Sequence, residues 1–247
     1  MNKILALSAT FMMGLAAPLT VSTAAMANDV SYSVGVDYVT EYVFRGVSLA
    51  DQAIQPYAEA SFGNFTAGVW ASLSEGTGSA AAGDEVDLYV SYSLPVEGPV
   101  SFDTGLTYYH YPQGGGLFET DGGSAGTYEV SLSAGFDAPL EPSLTAFYDL
   151  TLEAFTLEGG LSKSVPVTDA VGLDLGLTAG LVDGDGFSYE YGSLSAAFST
   201  ALGEAASAYV GGNLALSSDR TLNFDDLIAG GGRKDNVWFG VGVSTGF

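Results

Sequence analysis

His110 is the only histidine in 247 residues, and there is no cysteine. Thiolate nucleophiles, thiolate metal sites and disulfides are therefore excluded. Acid–base chemistry near neutral pH would rest on one imidazole. His110 falls on the apolar parity of its segment, at the outer end, and parity fixes no serine beside it. A structural histidine at an interface is the expectation; the competing role is the base of a lipid-modifying enzyme. The stretch VDGDGFSYE (Val182–Glu190) brings Asp183, Asp185 and Glu190 together in sequence. It lacks the third ligand position and the flanking helices of a calcium loop, and reads as an acidic external loop. The glycine runs Gly114–Gly116 and Gly230–Gly232 lack the strand–helix context of a phosphate loop and read as flexible connections. No catalytic residue, no cofactor and no resident metal are expected.

Carboxylates are the abundant charged groups: 29 Asp and Glu against 6 Lys and Arg, a formal net charge of −23. Nucleic acid, which needs a basic surface, is excluded as a partner. Alternation places Asp37, Glu41, Arg45, Glu59, Asp87, Asp103, Glu129, Glu158 and Asp174 on the polar face of their segments, with Trp70 beside them. Such a face is eight carboxylates and one guanidinium. Closed into a narrow pore it attracts cations and repels anions. Arg45 is expected to pair with Glu41 or Glu59 and to narrow a constriction near the first loop. Trp70 is a candidate sugar-stacking platform, with lumen filling the preferred role. A plug of buried ion pairs is the alternative, but the basic residues are too few to pair most of the carboxylates.

The elements that must hold these residues follow from hydropathy. Lys3, the apolar run Ile4–Leu15 and Ala25-Met26-Ala27 form a signal-peptide pattern, so residues 1–27 are expected to be cleaved. The run is too short, and too soon broken by Pro18, for a membrane helix. Residues 28–247 then form one domain. It is 47% hydrophobic across the whole sequence, yet no later apolar run reaches the roughly 18 residues of a membrane helix.

What appears instead is a period of two. Twelve strands are expected: Val30–Phe44, Ala53–Gly63, Phe65–Leu73, Val86–Leu94, Val100–Tyr111, Thr127–Phe136, Ser143–Leu150, Glu153–Lys163, Val171–Leu181, Phe187–Phe198, Ala206–Ser217 and Asn236–Phe247. In the last, Val237, Phe239, Val241, Val243 and Phe247 oppose Trp238, Gly240, Gly242, Ser244 and Gly246. Connections alternate between short ones (Gly63-Asn64, Pro95–Pro99, Asp137–Pro142, Pro166–Asp169, Ser199–Ala205) and mostly longer ones (Gly46–Gln52, Ser74–Glu85, Pro112–Gly126, Val182–Gly186, Ser218–Asp235). The short Asp149–Leu152 connection departs from this, so the count ranges from 10 to 14 strands.

One end of short turns and one of long loops is the layout of an all-β, antiparallel transmembrane β-barrel, with periplasmic turns and acidic external loops. In a soluble sandwich the polar face meets water and should be rich in lysine, arginine and glutamate. Here it is glycine, serine and threonine with scattered carboxylates. Closure removes edge strands, so the apolar face can meet lipid with every backbone group paired. Tyr32, Tyr42, Phe44, Phe62, Phe65, Tyr92, Phe102, Tyr108 and Phe136 would form aromatic girdles. The terminal Phe247 resembles the sorting signal of bacterial outer-membrane proteins.

The stretch VDYVTEYVFRGVSLADQAIQPYAEASFGNFTAGVWAS is similar to the start of the TorF family of porins. That family's Y-x-F-R-G-[IV]-S-x-[ASN]-[DN] pattern matches Tyr42, Phe44, Arg45, Gly46, Val47, Ser48 and Asp51. Its following P-A-I-Q and A-G-V-W-[AG]-S segments match Ala53-Ile54-Gln55 and Ala67–Ser72. EVDLYVSYS, GLTYYHYP and TYEVSLSAGF resemble later strands; beyond about Leu150 only the barrel pattern continues. The resemblance implies an outer-membrane barrel for passive solute transport and supplies neither a substrate nor a catalytic group. The expected function is passive diffusion of small cationic or neutral solutes through the bacterial outer membrane. The expected partners are outer-membrane lipids, lipopolysaccharide and divalent cations at the acidic loops. A plugged structural barrel is the second reading.

Overall fold

The computed structural model describes residues 30–74, 83–218 and 235–247. Residues 1–29, which hold the expected signal peptide, residues 75–82 and residues 219–234, with Arg233 and Lys234, lie outside them. Among the described residues fourteen strands follow in order: β1 (Val30–Val39), β2 (Tyr42–Phe44), β3 (Val47–Ala50), β4 (Ala53–Phe62), β5 (Phe65–Ser74), β6 (Glu85–Ser93), β7 (Val100–His110), β8 (Gly126–Phe136), β9 (Ser143–Asp149), β10 (Ala154–Pro166), β11 (Val171–Gly184), β12 (Phe187–Ala201), β13 (Ala206–Ser217) and β14 (Asp235–Gly246). Twelve of them, all but β2 and β3, form a closed antiparallel barrel with each strand bonded to its neighbours.

The seam closes where β1 meets β14, with Val36 opposite Val243 and Tyr38 opposite Val241. Tyr32 and Phe247 exchange backbone hydrogen bonds of 2.8 and 3.0 Å and stack at 5.6 Å. The last residue therefore completes the seam. Side chains alternate out and in as the pleat requires. Val237 and Phe239 stand 59% and 60% exposed on the outer face, while Trp238 between them is 4% exposed. The outer face carries Val, Leu, Phe and Tyr around the circumference. Apolar area of this extent facing out of a closed sheet is what hydrocarbon, not water, stabilises.

The first expected strand is corrected. It ends at Val39 rather than Phe44, and β4 resumes opposite it, with Val39 paired to Ala53. Residues 40–52 leave the wall and fold inward as the β2–β3 hairpin, a two-stranded sheet of its own. Phe44-Arg45-Gly46-Val47 makes its tip, with φ of 48° at Arg45 and 79° at Gly46. Two consecutive positive φ values match the right-handed strand twist and favour glycine at the second position. Gly46–Gln52 is accordingly half of an inward hairpin rather than an outer loop, and Tyr42 and Phe44 belong to the interior rather than to a girdle. Tyr42 and Val43 pack with Val39, Ala53, Trp70, Ala215 and Trp238. This apolar base fixes the hairpin to the wall.

Val182–Gly186 is corrected as well. β11 and β12 run on to Gly184 and from Phe187, leaving a tight turn with Gly186 at φ 83°. Asp183 and Glu190 lie on the outward, exposed parity, so the three acids do not converge into a calcium loop. Among the described residues no group of three or more Asp, Glu, Cys or His side chains is placed to hold a metal.

Candidate functional site

The interior begins with the hairpin tip. Arg45 crosses to the opposite wall and forks onto Glu129 of β8, Nη1 to Oε2 at 2.7 Å and Nη2 to Oε1 at 3.0 Å. Its guanidinium lies 4.2 Å from the centroid of the Phe147 ring and 4.6 Å from that of Phe44. Tyr109 donates to the same carboxylate at 2.9 Å, and Asn236 donates to the Gly46 carbonyl at 3.5 Å. A planar guanidinium matched to both carboxylate oxygens is directional as well as charged. Burial opposes the Arg45 charge, and Glu129 more than restores it, so Arg45 stays protonated. The expected partners Glu41 and Glu59 are thus corrected to Glu129, 84 positions away in sequence.

Four of the remaining carboxylates, Glu59, Glu158, Asp103 and Asp174, are held by hydroxyls rather than by cations. Glu59, Gly68 and Tyr89 sit side by side on β4, β5 and β6. Tyr89 lies across Gly68 and donates to Glu59 at 2.7 Å. The same arrangement recurs as Glu158, Gly180 and Tyr191 on β10, β11 and β12, where Tyr191 donates to Glu158 over the glycine. Asp37, Gly242 and Tyr209 take the same positions across β1, β14 and β13; Asp37 and Tyr209 both close over Gly242, but the Tyr209 hydroxyl makes no hydrogen bond of standard geometry. A Cβ on any of the three glycines would run into the ring above it. Asp103 and Asp174 instead accept from the directly paired serines, Ser93 and Ser164. A hydrogen bond to an ionised carboxylate contributes more than one between neutral groups. The wall can therefore carry many acids with few bases.

Of the residues marked in the sequence, Arg45, Glu59, Glu129 and Glu158 make these interior contacts, and Asp37, Asp87, Asp103 and Trp70 are buried. Asp174 lies half-buried on the same parity, and Glu41 is buried beside the hairpin base. Trp70 packs against Tyr42 at 5.5 Å, so it fills the hairpin base and presents no free platform. The partners that sequence reading missed are Tyr89, Tyr109 and Tyr191. For Tyr89 and Tyr191 the signal is a tyrosine paired with a glycine whose other neighbour is acidic, visible only once strand register is known; Tyr109 is paired with Asp87 and Thr127 and carries no such signal.

His110 points to the outer face, where residues 111–125 cover it. It is 8% exposed and stacks 5.9 Å from Tyr108, with Nδ1 at 3.1 Å from the Ala125 carbonyl. Gly122–Gly126 reads Gly-x-Ser-x-Gly, a run that sequence reading passed over. Ser124 donates to the Asp121 carbonyl at 3.0 Å in a single 3-10 turn, not in the strand–turn–helix of a nucleophile elbow. No described hydrogen bond joins it to His110, and the pair lacks the geometry of nucleophile and base.

A closed twelve-strand barrel with an apolar outer band and a hydroxyl- and carboxylate-lined interior is a bacterial outer-membrane β-barrel. Solved structures agree on the fold. The KdgM porin matches with a TM-score of 0.57 at 12% identity, over 87% of this chain and 99% of that one. The NanC porin gives 0.52 at 11%, over 87% and 98%. The COG4313 outer membrane channel from Pseudomonas putida F1 gives 0.51 at 11%, over 90% and 97%. A family described as a bacterial protein of unknown function (Gcw_chp) matches residues 22–138, which include the hairpin and the wall through β8. No curated protein matches the sequence.

Proposed function

We propose that the protein is an outer-membrane channel for passive diffusion of small cationic or neutral solutes, of the TorF porin type. One observation carries the reading. Arg45 is the only basic side chain among the described interior residues, and Glu129 neutralises it, which leaves the other wall carboxylates to set the field. A low-dielectric wall with charge of one sign concentrates counter-ions in the passage. The similar KdgM porin has been solved in complex with disordered oligogalacturonate, an anionic saccharide; the acidic wall here favours the opposite charge. Lipid and lipopolysaccharide surround the outer band in this reading, with divalent cations at the acidic outer loops. Swelling of liposomes carrying the purified protein tests it. Cationic and neutral amino acids should enter faster than acidic ones of similar size, and equal or reversed rates would refute it.

The hairpin itself favours a second reading, a plugged barrel with an envelope role, because it crosses the interior and is fastened at both base and tip. Under that reading liposomes do not swell with any solute, and loss of the protein alters detergent sensitivity without altering permeability.

A further inference from the structure

Glu85 and Asp87 stand on the inward face of β6, two residues apart, so their Cα atoms are roughly 7 Å from each other. They are 3% and 1% exposed. Neither described basic side chain serves them: Arg45 is held by Glu129, and Lys163 lies beside Glu141 on the outer face. No protein donor sits in hydrogen-bonding geometry on either oxygen of Asp87. The Tyr42 hydroxyl, from the base of the inward hairpin, is turned toward both acids. It is buried and lies against Glu85 without a hydrogen bond of standard geometry. Two desolvated like charges with no counter-charge among the described residues are costly, and the cost must be met by protons or by a cation.

We propose that Glu85, Asp87 and the Tyr42 hydroxyl form a binding site for a hard divalent cation, calcium in the first instance. Two carboxylates balance its charge, and all three donors are oxygens, the set such ions prefer. Calcium tolerates an irregular shell completed by water better than magnesium, which demands an octahedron. The ion would bridge β2 to β6 and so pin the hairpin base, opposite the end that Arg45 pins. The site rests on these contacts alone and stands whether or not the barrel conducts.

Terbium provides the test, because Trp70 is directly paired with Asp87 and lies 5.5 Å from the Tyr42 ring, where it can sensitise the ion's emission. Folded protein in detergent is titrated with Tb3+ in excess Mg2+, then with Ca2+ as competitor. Wild type should give saturable emission that calcium abolishes. Glu85→Gln and Asp87→Asn should weaken binding by about tenfold or more, and Tyr42→Phe by less. Asp185→Asn, on the outer turn, should match wild type. Heat-modifiable gel migration confirms that each variant is folded; all four substitutions leave side-chain volume nearly unchanged, and those at Glu85 and Asp87 remove buried charge. Emission equal in wild type, E85Q and D87N would mean an adventitious surface ion only, and overturns the site. Absence of sensitised emission from folded wild type would mean that protons neutralise the pair, and overturns it equally.

Discussion

Replacing Arg45 by alanine should release the tip of the inward hairpin. The Arg45 and Glu129 side chains are 11% and 5% exposed, so the pair is little screened by bulk water. Removing one partner of a buried pair costs about 3–5 kcal/mol, because the other charge stays behind. Glu129 keeps the Tyr109 hydroxyl at 2.9 Å, which puts the cost near the lower bound, about 3 kcal/mol. That amounts to roughly a hundredfold in the docking equilibrium of the tip. The base should hold, since Tyr42 and Val43 remain in the apolar cluster. Urea unfolding of the detergent-folded protein should show the loss, and single-channel records should show a larger and noisier conductance. In a double-mutant cycle, R45A/E129A should regain much of the stability lost by R45A, since no orphaned charge remains. An R45A protein with wild-type stability and conductance would refute the crossing fork.

Tyr191→Phe removes the hydroxyl on Glu158 and keeps the ring over Gly180; about 1.5–3 kcal/mol of stability should be lost, read by urea unfolding. Gly68→Val puts a branched side chain where the Tyr89 ring lies and should cost about 1–3 kcal/mol by overpacking, with Gly159→Val, which meets only backbone oxygens at 3.8 Å and beyond, as the milder control. Deleting Phe247 removes two backbone hydrogen bonds and a ring stack at the seam, together worth about 2–4 kcal/mol; folding into lipid vesicles should slow and its yield should fall.

Period-two hydropathy made the barrel legible, because a sheet buried in lipid on one side shows its pleat directly in the chain. Val237 to Val243 is the clearest case, and its outward parity holds. The turn at Asp149–Leu152 looked anomalous only because outer connections were expected to be long; β9 and β10 simply meet there, with Asp149 accepting from the Thr151 and Leu152 amides. The inward faces of Glu59, Glu129 and Glu158 were readable for the same reason. Their partners were not. Alternation states which face a residue takes and nothing about which residue lies beside it on the next strand. Glu59 finding Tyr89 across Gly68, or Arg45 finding Glu129, depends on register around a closed ring. The hairpin was hidden because Tyr42-Val43-Phe44 continues the alternation of β1 without a break. Phe44-Arg45-Gly46, the most distinctive piece of the family resemblance, turns out to be the tip that reaches across.

The sign of the field in the passage is the claim on which the functional reading stands. Reversal potential across a planar bilayer holding the purified protein, with a potassium chloride gradient, measures it directly. Preference for potassium, weakened when Glu59 and Glu158 are changed together to glutamine, is the expected result. Conductance that prefers chloride, or no conductance from verified folded protein, would contradict it.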